Sequence, residues 1–164
     1  MLLGTILGTA AVVYEGKHAT QAPSYGTETR GGPAKSQVII SSGSIGYPEV
    51  KRADILVAMT QAALDRHLKT LSKDVTVIVD SDLVGDVPST PAKVRRIAAT
   101  RLSEQNLASR NYANMVMFGA LVHLTGLVSP EAARNAIKIG VPAGTVEKNL
   151  KAFELGVKAA KASG

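Results

Sequence analysis

The chain has 164 residues, enough for one α/β domain with a sizeable core, and it is 45% hydrophobic and 20% charged, as soluble globular proteins are. It contains no cysteine, which excludes disulfides, thiolate zinc sites and iron–sulfur clusters ligated by this chain. The net charge of +6, with four tyrosines, two phenylalanines and no tryptophan, favours an anionic ligand or an acidic protein partner over nucleic acid.

The first part of the sequence predicts a helix followed by two strands. Residues 2–14 carry apolar side chains at helical spacing. Gly4 and Gly8 fall on one face of this helix, which indicates close packing against a sheet. A short strand is predicted at residues 17–21, and a second strand, rich in β-branched residues, at residues 35–42.

The middle of the sequence alternates apolar strands with a helix. The segment 85–93 contains two prolines and is typical of a surface connection. Thr60 and Thr100 are each predicted to cap the helix that follows them. The predicted elements are strands at 53–60, 74–82 and 93–99, and a helix at 61–71.

The last third is predicted to be helical. Residues 111–128 are apolar nearly all round, but they are too few for a membrane span, which needs about 20 residues. Ser129 followed by Pro130 marks the next helix start, and Thr145 is predicted to cap the final helix. That helix has an inner stripe formed by Val146, Leu150, Phe153 and Val157. The whole pattern predicts one α/β domain over residues 1–164, with a largely parallel sheet and a helical C-terminal third.

One polar loop, "QAPSYGTETRGG" at residues 21–32, stands between the first two predicted strands. Its three glycines permit backbone amides to converge on an anion, and Arg30 adds a permanent forked charge. A structural loop in which Arg30 pairs internally with Glu28 remains an equal alternative on these residues alone. The loop residues that carry this chemistry are Tyr25, Gly26, Glu28, Arg30, Gly31 and Gly32.

Other polar residues give weaker signals. Asp80 and Asp82 end an apolar strand, where such carboxylates are more often cap and turn residues than metal or ribose ligands. His123 is predicted to be packed and hydrogen-bonded within the long helix, and a ligand role for Asn114 is a further possibility. The histidines have no metal-ligand spacing, and no nucleophile elbow, Walker loop, HExxH or CxxC motif occurs. We therefore predict no catalytic residue and no metal ligand.

Several segments together resemble one protein family. They are "SYGTETRGGPAKSQVIIS", the "YP" pair at Tyr47, "DILVAMTQ", "DSDLV", "NMVMFGALVHLTG" and "VPAGTVEKNLKAFELG". In this order they resemble the gamma subunit of 2-oxoacid:ferredoxin oxidoreductases, with the best likeness to the 2-oxoglutarate type. The resemblance spans nearly the whole chain, and its most specific parts are the SYG…RGG loop and the "NLKAFELG" helix.

The resemblance implies a Rossmann-like three-layer fold and a place in a multi-subunit enzyme. Such an enzyme decarboxylates a 2-oxoacid with thiamine diphosphate and Mg²⁺, passes electrons through [4Fe-4S] clusters to ferredoxin, and transfers the acyl group to coenzyme A. The implied partners are alpha and beta subunits and a ferredoxin-like subunit or domain, with no nucleic acid and no membrane. The loop residues that would line the coenzyme A side or contact other subunits are Ser24, Tyr25, Gly26, Glu28, Arg30, Gly31 and Gly32.

The sequence departs from the family at its start. The family normally begins with a strand and a Gly-x-Gly-Gly-Gln-Gly loop, whereas this sequence starts within the helix that follows them. The chain is therefore expected to be N-terminally shortened relative to the family. No leader pattern is recognised, and a cytoplasmic location is expected. Two other functions stay open: a stand-alone nucleotide- or coenzyme-A-binding module, and a purely structural subunit.

Overall fold

A computed structural model describes residues 1–25, 34–68, 71 and 74–163, with only the backbone described for Tyr25. Five strands and six α-helices are present in these residues. The strands are β1 (His18–Tyr25), β2 (Ala34–Ser41), β3 (Ile55–Ala58), β4 (Thr76–Asp80) and β5 (Lys93–Ile97). The α-helices are α1 (Leu2–Thr9), α2 (Gln61–Leu68), α3 (Ala99–Leu107), α4 (Ala113–Thr125), α5 (Pro130–Gly140) and α6 (Val146–Ala162). A short π-helical turn over Ala10–Tyr14 continues α1.

Strands β3, β4 and β5 form a parallel sheet with β4 at its centre. Alternate side chains of β4 point to opposite faces, because strand residues alternate across a sheet. Ile78 packs into the main core with the C-terminal helices, whereas Val77 and Val79 pack with Leu64 of α2. The sheet therefore lies between two helical layers, which confirms the predicted α/β architecture with a parallel sheet.

Strands β1 and β2 form a separate antiparallel hairpin. The pairing runs from His18 opposite Ser41 to Tyr25 opposite Ala34. The predicted loop therefore begins too early, because residues 21–25 belong to β1. Pro23 lies within this strand. A two-stranded ribbon consists of edge strands, in which a residue without an N–H group is tolerated.

Helix α4 is the centre of the main core. Residues 115–122 are all buried, as the apolar sequence predicts. It crosses α6, where Phe118 and Phe153 lie with their ring centroids 5.5 Å apart. The buried face of α6 differs from the predicted stripe, because Val146, Leu150 and Val157 are only partly buried. Its buried residues are Asn149, Ala152, Phe153, Gly156 and Ala160.

The predicted helix caps have mixed outcomes. The Thr60 hydroxyl accepts a hydrogen bond from the Ala63 N–H at 3.2 Å, and Ser129 caps α5 as predicted, accepting from the Ala132 N–H at 3.2 Å. The prediction for Thr100 is wrong, because it lies inside α3, which starts at Ala99. Thr145 precedes α6 without capping it by its side chain.

Two further sequence predictions concern the burial of His123 and the length of the apolar helix. His123 is exposed on the last turn of α4, so the prediction that it is packed is wrong. The sequence pattern could not predict this exposure, because a helix that is apolar on nearly every side does not show which of its residues faces solvent. Within the described residues, no helix combines the length and the apolar character required to cross a bilayer.

Candidate functional site

The carboxyl edge of a parallel sheet is where α/β proteins usually bind ligands. Here Asp80, at the end of β4, is fully buried. Its Oδ2 accepts hydrogen bonds from the Thr100 hydroxyl at 2.6 Å and the Thr100 N–H at 3.1 Å, and its Oδ1 accepts from the Asp82 N–H at 3.1 Å. This carboxylate therefore stabilises the turn after β4 and the first turn of α3.

Asp82 complements Asp80 at the start of α3. Its Oδ2 accepts a hydrogen bond from the Arg101 N–H at 2.7 Å. Negative charge at a helix N-terminus is stabilising, because the unpaired N–H groups there carry partial positive charge. The structural interpretation of both aspartates is thus supported by their contacts, and the chain's own carboxylates occupy the anion-binding position of this helix.

The described residues contain no group of three or more histidine, aspartate or glutamate side chains placed to hold a metal ion. His18 lies at the start of β1, His67 near the end of α2 and His123 at the end of α4. Asn114, in the first turn of α4, accepts a hydrogen bond from the Met115 N–H through its own side chain. These positions support neither a metal site nor a catalytic cluster in this part of the chain.

The end of the hairpin, marked by Ser24 on β1 and Lys35 on β2, carries the candidate loop. Ser24 pairs with Lys35 in the strand ladder, and both residues are exposed. The next pair, Tyr25 opposite Ala34, is the last one in the described part of the hairpin. The predicted site residues Gly26, Glu28, Arg30, Gly31 and Gly32, with the side chain of Tyr25, lie outside the described residues.

Lys35 is a candidate that sequence reasoning missed. It adds a positive charge at the hairpin end, and it acts on His67 of α2. Burial lowers the pKa of His67, and the nearby charges of Lys35 and Arg66 lower it further. Lys35 thus places a positive charge at the described end of the hairpin, and positive charge attracts anions. The signal in the sequence was the position of this lysine, three residues after the glycine pair.

Two open surface cavities lie away from the hairpin end. One, of about 320 Å³, is at the base of the hairpin and is lined in part by Val12, His18 and Pro48. The other, of about 380 Å³, lies between the end of α3 and the start of α6, beside Lys148 and Lys151. Neither cavity is lined by a predicted site residue, and both are open to solvent.

A polar cluster fixes the turn after α1 to the start of α5. The Lys17 Nζ lies 2.7 Å from Glu15 and donates to the Leu127 carbonyl at 2.8 Å, while Glu15 accepts from the Ser129 N–H at 2.5 Å. The hydrogen bond from Lys17 lowers the pKa of Glu15, and that from Ser129 adds to the effect. The contribution of Glu15 to stability is therefore present above the ordinary pKa of glutamate and is lost as pH falls through the lowered value.

The family model of pyruvate ferredoxin/flavodoxin oxidoreductases matches residues 1–159. This chain belongs to that family. Its relatives include the 2-oxoglutarate synthase subunit KorC of Methanothermobacter thermautotrophicus, with 44% identity over 95% of this chain and 86% of the relative. The family membership confirms the resemblance that the sequence segments suggested.

Solved oxidoreductase structures agree with this assignment. The gamma subunit of a keto/oxoacid ferredoxin oxidoreductase from Geobacter sulfurreducens has a TM-score of 0.87 and 40% identity, over 98% of this chain and 90% of that chain. A 2-oxoglutarate:ferredoxin oxidoreductase from Magnetococcus marinus, solved with 2-oxoglutarate, coenzyme A and succinyl-CoA bound, shares the fold at a TM-score of 0.80. Its identity is 19%, over 98% of this chain and 28% of that chain. This oxidoreductase chain is thus of the gamma-subunit type, a non-autonomous component of a larger enzyme.

Proposed function

We propose that this gamma-type chain serves an oxidoreductase that converts 2-oxoglutarate to succinyl-CoA, and that its hairpin end and loop line the coenzyme A side of the active site. The identity with KorC over nearly the whole chain carries the substrate assignment. The Magnetococcus marinus enzyme, which has the same fold in part of one chain, supports it, because its ligands are the substrate, cofactor and product of this reaction.

The distribution of charged groups favours the hairpin end, rather than the carboxyl edge of the parallel sheet, as the surface that contacts coenzyme A. Coenzyme A carries phosphates, which need cationic groups or free backbone amides. At the sheet edge, the start of α3 is already paired with Asp80 and Asp82. The hairpin end presents Lys35, and the adjoining loop adds Arg30 and three glycines in the sequence.

The remaining chemistry belongs, in this proposal, to other subunits. Thiamine diphosphate and Mg²⁺ would supply decarboxylation in the alpha and beta components, and [4Fe-4S] clusters in cysteine-bearing components would carry electrons to ferredoxin. This chain has no cysteine with which to ligate a cluster. Its own residues would bind and orient the acyl acceptor, so we expect the isolated chain to have no turnover.

We expect Arg30→Ala to raise the KM for coenzyme A about tenfold to a hundredfold, because a charge-assisted hydrogen bond contributes about 1.5–3 kcal/mol. The kcat at saturating coenzyme A and the KM for 2-oxoglutarate should change little. The measurement is 2-oxoglutarate-dependent ferredoxin reduction by the complete complex at varied coenzyme A. Arg52→Ala, which removes an exposed arginine from the segment between β2 and β3, is the matched control.

The same substitution separates the proposal from its alternatives. Loss of assembly with normal kinetics in the surviving complex would identify a structural subunit whose loop only holds its partners. Tight coenzyme A binding by the isolated chain in calorimetry, with no partner recovered by co-purification, would identify a stand-alone binding module. Either result would contradict the proposed role.

A further inference from the structure

We infer that Gln21 is a positioning residue, which holds the hairpin stem against α1 and thereby sets the location of the hairpin end at Ser24 and Lys35. The inference rests on the proposed function, because it assigns that location a consequence for coenzyme A binding. Gln21 lies in the middle of β1, opposite Val38 of β2. It is three residues from Ser24 and was not among the predicted site residues.

The Gln21 amide connects three parts of the chain. Its Oε1 accepts a hydrogen bond from the Thr5 hydroxyl of α1 at 3.1 Å. Its Nε2 donates to the Ser36 hydroxyl of β2 at 2.7 Å and, at 3.4 Å, to the Met1 carbonyl that precedes α1. Among the described residues, the hydrogen bonds between side chains of the hairpin and the α1 segment all involve Gln21.

The rest of the contact is apolar. Ala19, Val38 and Ile40 of the hairpin pack against the main core, and Val38 lies opposite Gln21. Apolar burial is non-directional, so it constrains the angle between two elements less sharply than hydrogen bonds do. Hydrogen bonds are directional, so the Gln21 amide adds a constraint on the angle between the hairpin and α1.

Gly4 makes this close approach possible. A Cβ at Gly4 would lie 3.0 Å from the Gln21 Nε2 and 3.1 Å from the Ser36 Cβ, and it would overlap the Ser36 hydroxyl oxygen. An alanine there requires the Ser36 hydroxyl to move, and we expect its hydrogen bond with Gln21 to be lost. At Gly8, one turn later on the same helix, a Cβ would have no atom within 4 Å apart from the nearby backbone of its own helix. The predicted close packing of these two glycines on a sheet thus holds for Gly4 and is wrong for Gly8.

A change in the angle of the hairpin displaces the hairpin end at Ser24 and Lys35. Strand residues rise about 3.3 Å each, so the backbone of Ser24 lies about 10 Å beyond Gln21 and a tilt of about 10° moves it by nearly 2 Å. Displacements of about 1 Å in groups that position a substrate can reduce activity a hundredfold. Loss of the Gln21 hydrogen bonds should therefore weaken coenzyme A binding without touching the groups that bind it.

The test compares Gln21→Met and Gly4→Ala with the control Gly8→Ala in the complete complex. We expect the first two to raise the KM for coenzyme A about fivefold to tenfold, with kcat at saturating coenzyme A and the KM for 2-oxoglutarate within about twofold of wild type. Gly8→Ala should leave all three constants unchanged. A purely structural role would reduce the amount of complex, or kcat, without this selective change in KM.

Running Arg30→Ala in parallel separates the inference from the proposed function. If Arg30→Ala raises the KM for coenzyme A while Gln21→Met does not, the positioning role is refuted and the proposed function stands. If neither substitution changes that KM, both are refuted. If Gly4→Ala does not assemble, Gln21→Met decides the question, because it preserves the side-chain volume while removing the hydrogen bonds.

Discussion

Gly119→Ala and Gly156→Ala are each expected to destabilise the fold by about 3 kcal/mol or more, since overpacking a well-packed core costs about 1–3 kcal/mol even where side chains can move. These glycines lie where α4 and α6 cross. A Cβ at Gly119 would overlap the Phe153 carbonyl oxygen and lie 2.9 Å from its carbonyl carbon. A Cβ at Gly156 would overlap the Val116 carbonyl oxygen and lie 2.8 Å from its carbonyl carbon.

The obstructing atoms belong to the backbone and cannot rotate away. The two helices would have to separate, which would open the core around the Phe118 and Phe153 rings. The crossing explains why a glycine stands in "NLKAFELG", the helical segment with the most specific family resemblance. It also explains the glycine within the otherwise continuous apolar run of α4.

Urea unfolding of the purified variants, followed by circular dichroism, measures this effect. Gly8→Ala is the control, because it adds a methyl group to a helical glycine that has free space around it. That control should be neutral or stabilising by up to about 1 kcal/mol, the difference in helix propensity between the two residues. Equal unfolding midpoints for Gly119→Ala and Gly8→Ala would contradict the described helix crossing.

The second large effect is expected at Asp80. Asp80→Ala should cost about 3 kcal/mol, because it leaves the Thr100 hydroxyl and the Thr100 and Asp82 N–H groups without their acceptor in a buried place. The matched control, Asp82→Ala, removes a more exposed carboxylate from the same helix start and should cost about 1 kcal/mol, as loss of a helix cap does.

The measurement is again the free energy of unfolding from urea titration. A stability of Asp80→Ala equal to that of wild type would show that the carboxylate is not needed for the fold, which would revive the ligand interpretation. Asp80→Asn tests the need for two acceptor oxygens, since an amide presents one acceptor oxygen and one donor group, whereas the Asp82 and Thr100 N–H groups can only donate. We expect it to lie between the other two variants.

The sequence predicted those elements whose signals are local. The apolar runs of β3 and β4 and the cap at Ser129 could be read from neighbouring residues alone. Residues 22–25 of β1 could not, because their strand conformation depends on pairing with β2. Thr100 had the residue type of a cap, but its hydroxyl bonds to Asp80, twenty positions earlier in the chain.

The candidate site likewise has features that local sequence predicts and features that depend on residues distant in the chain. The anion-binding character of the loop was predicted from its glycines and arginine, and its role in coenzyme A binding stays a prediction. The contribution of Gln21 depends on Thr5 and Ser36, which come together only when α1 packs against the hairpin. The glycine pair of the helix crossing is equally non-local, since Gly119 and Gly156 lie on different helices.

The most direct test is ferredoxin reduction by the alpha, beta and ferredoxin-like components, assembled with and without this chain and supplied with 2-oxoglutarate and coenzyme A. The account predicts no turnover by the chain alone, little or no coenzyme-A-dependent turnover by the other components alone, and full activity when they are combined. Turnover should be faster with 2-oxoglutarate than with pyruvate. Full coenzyme-A-dependent activity without this chain, or turnover by the chain alone, would contradict the account.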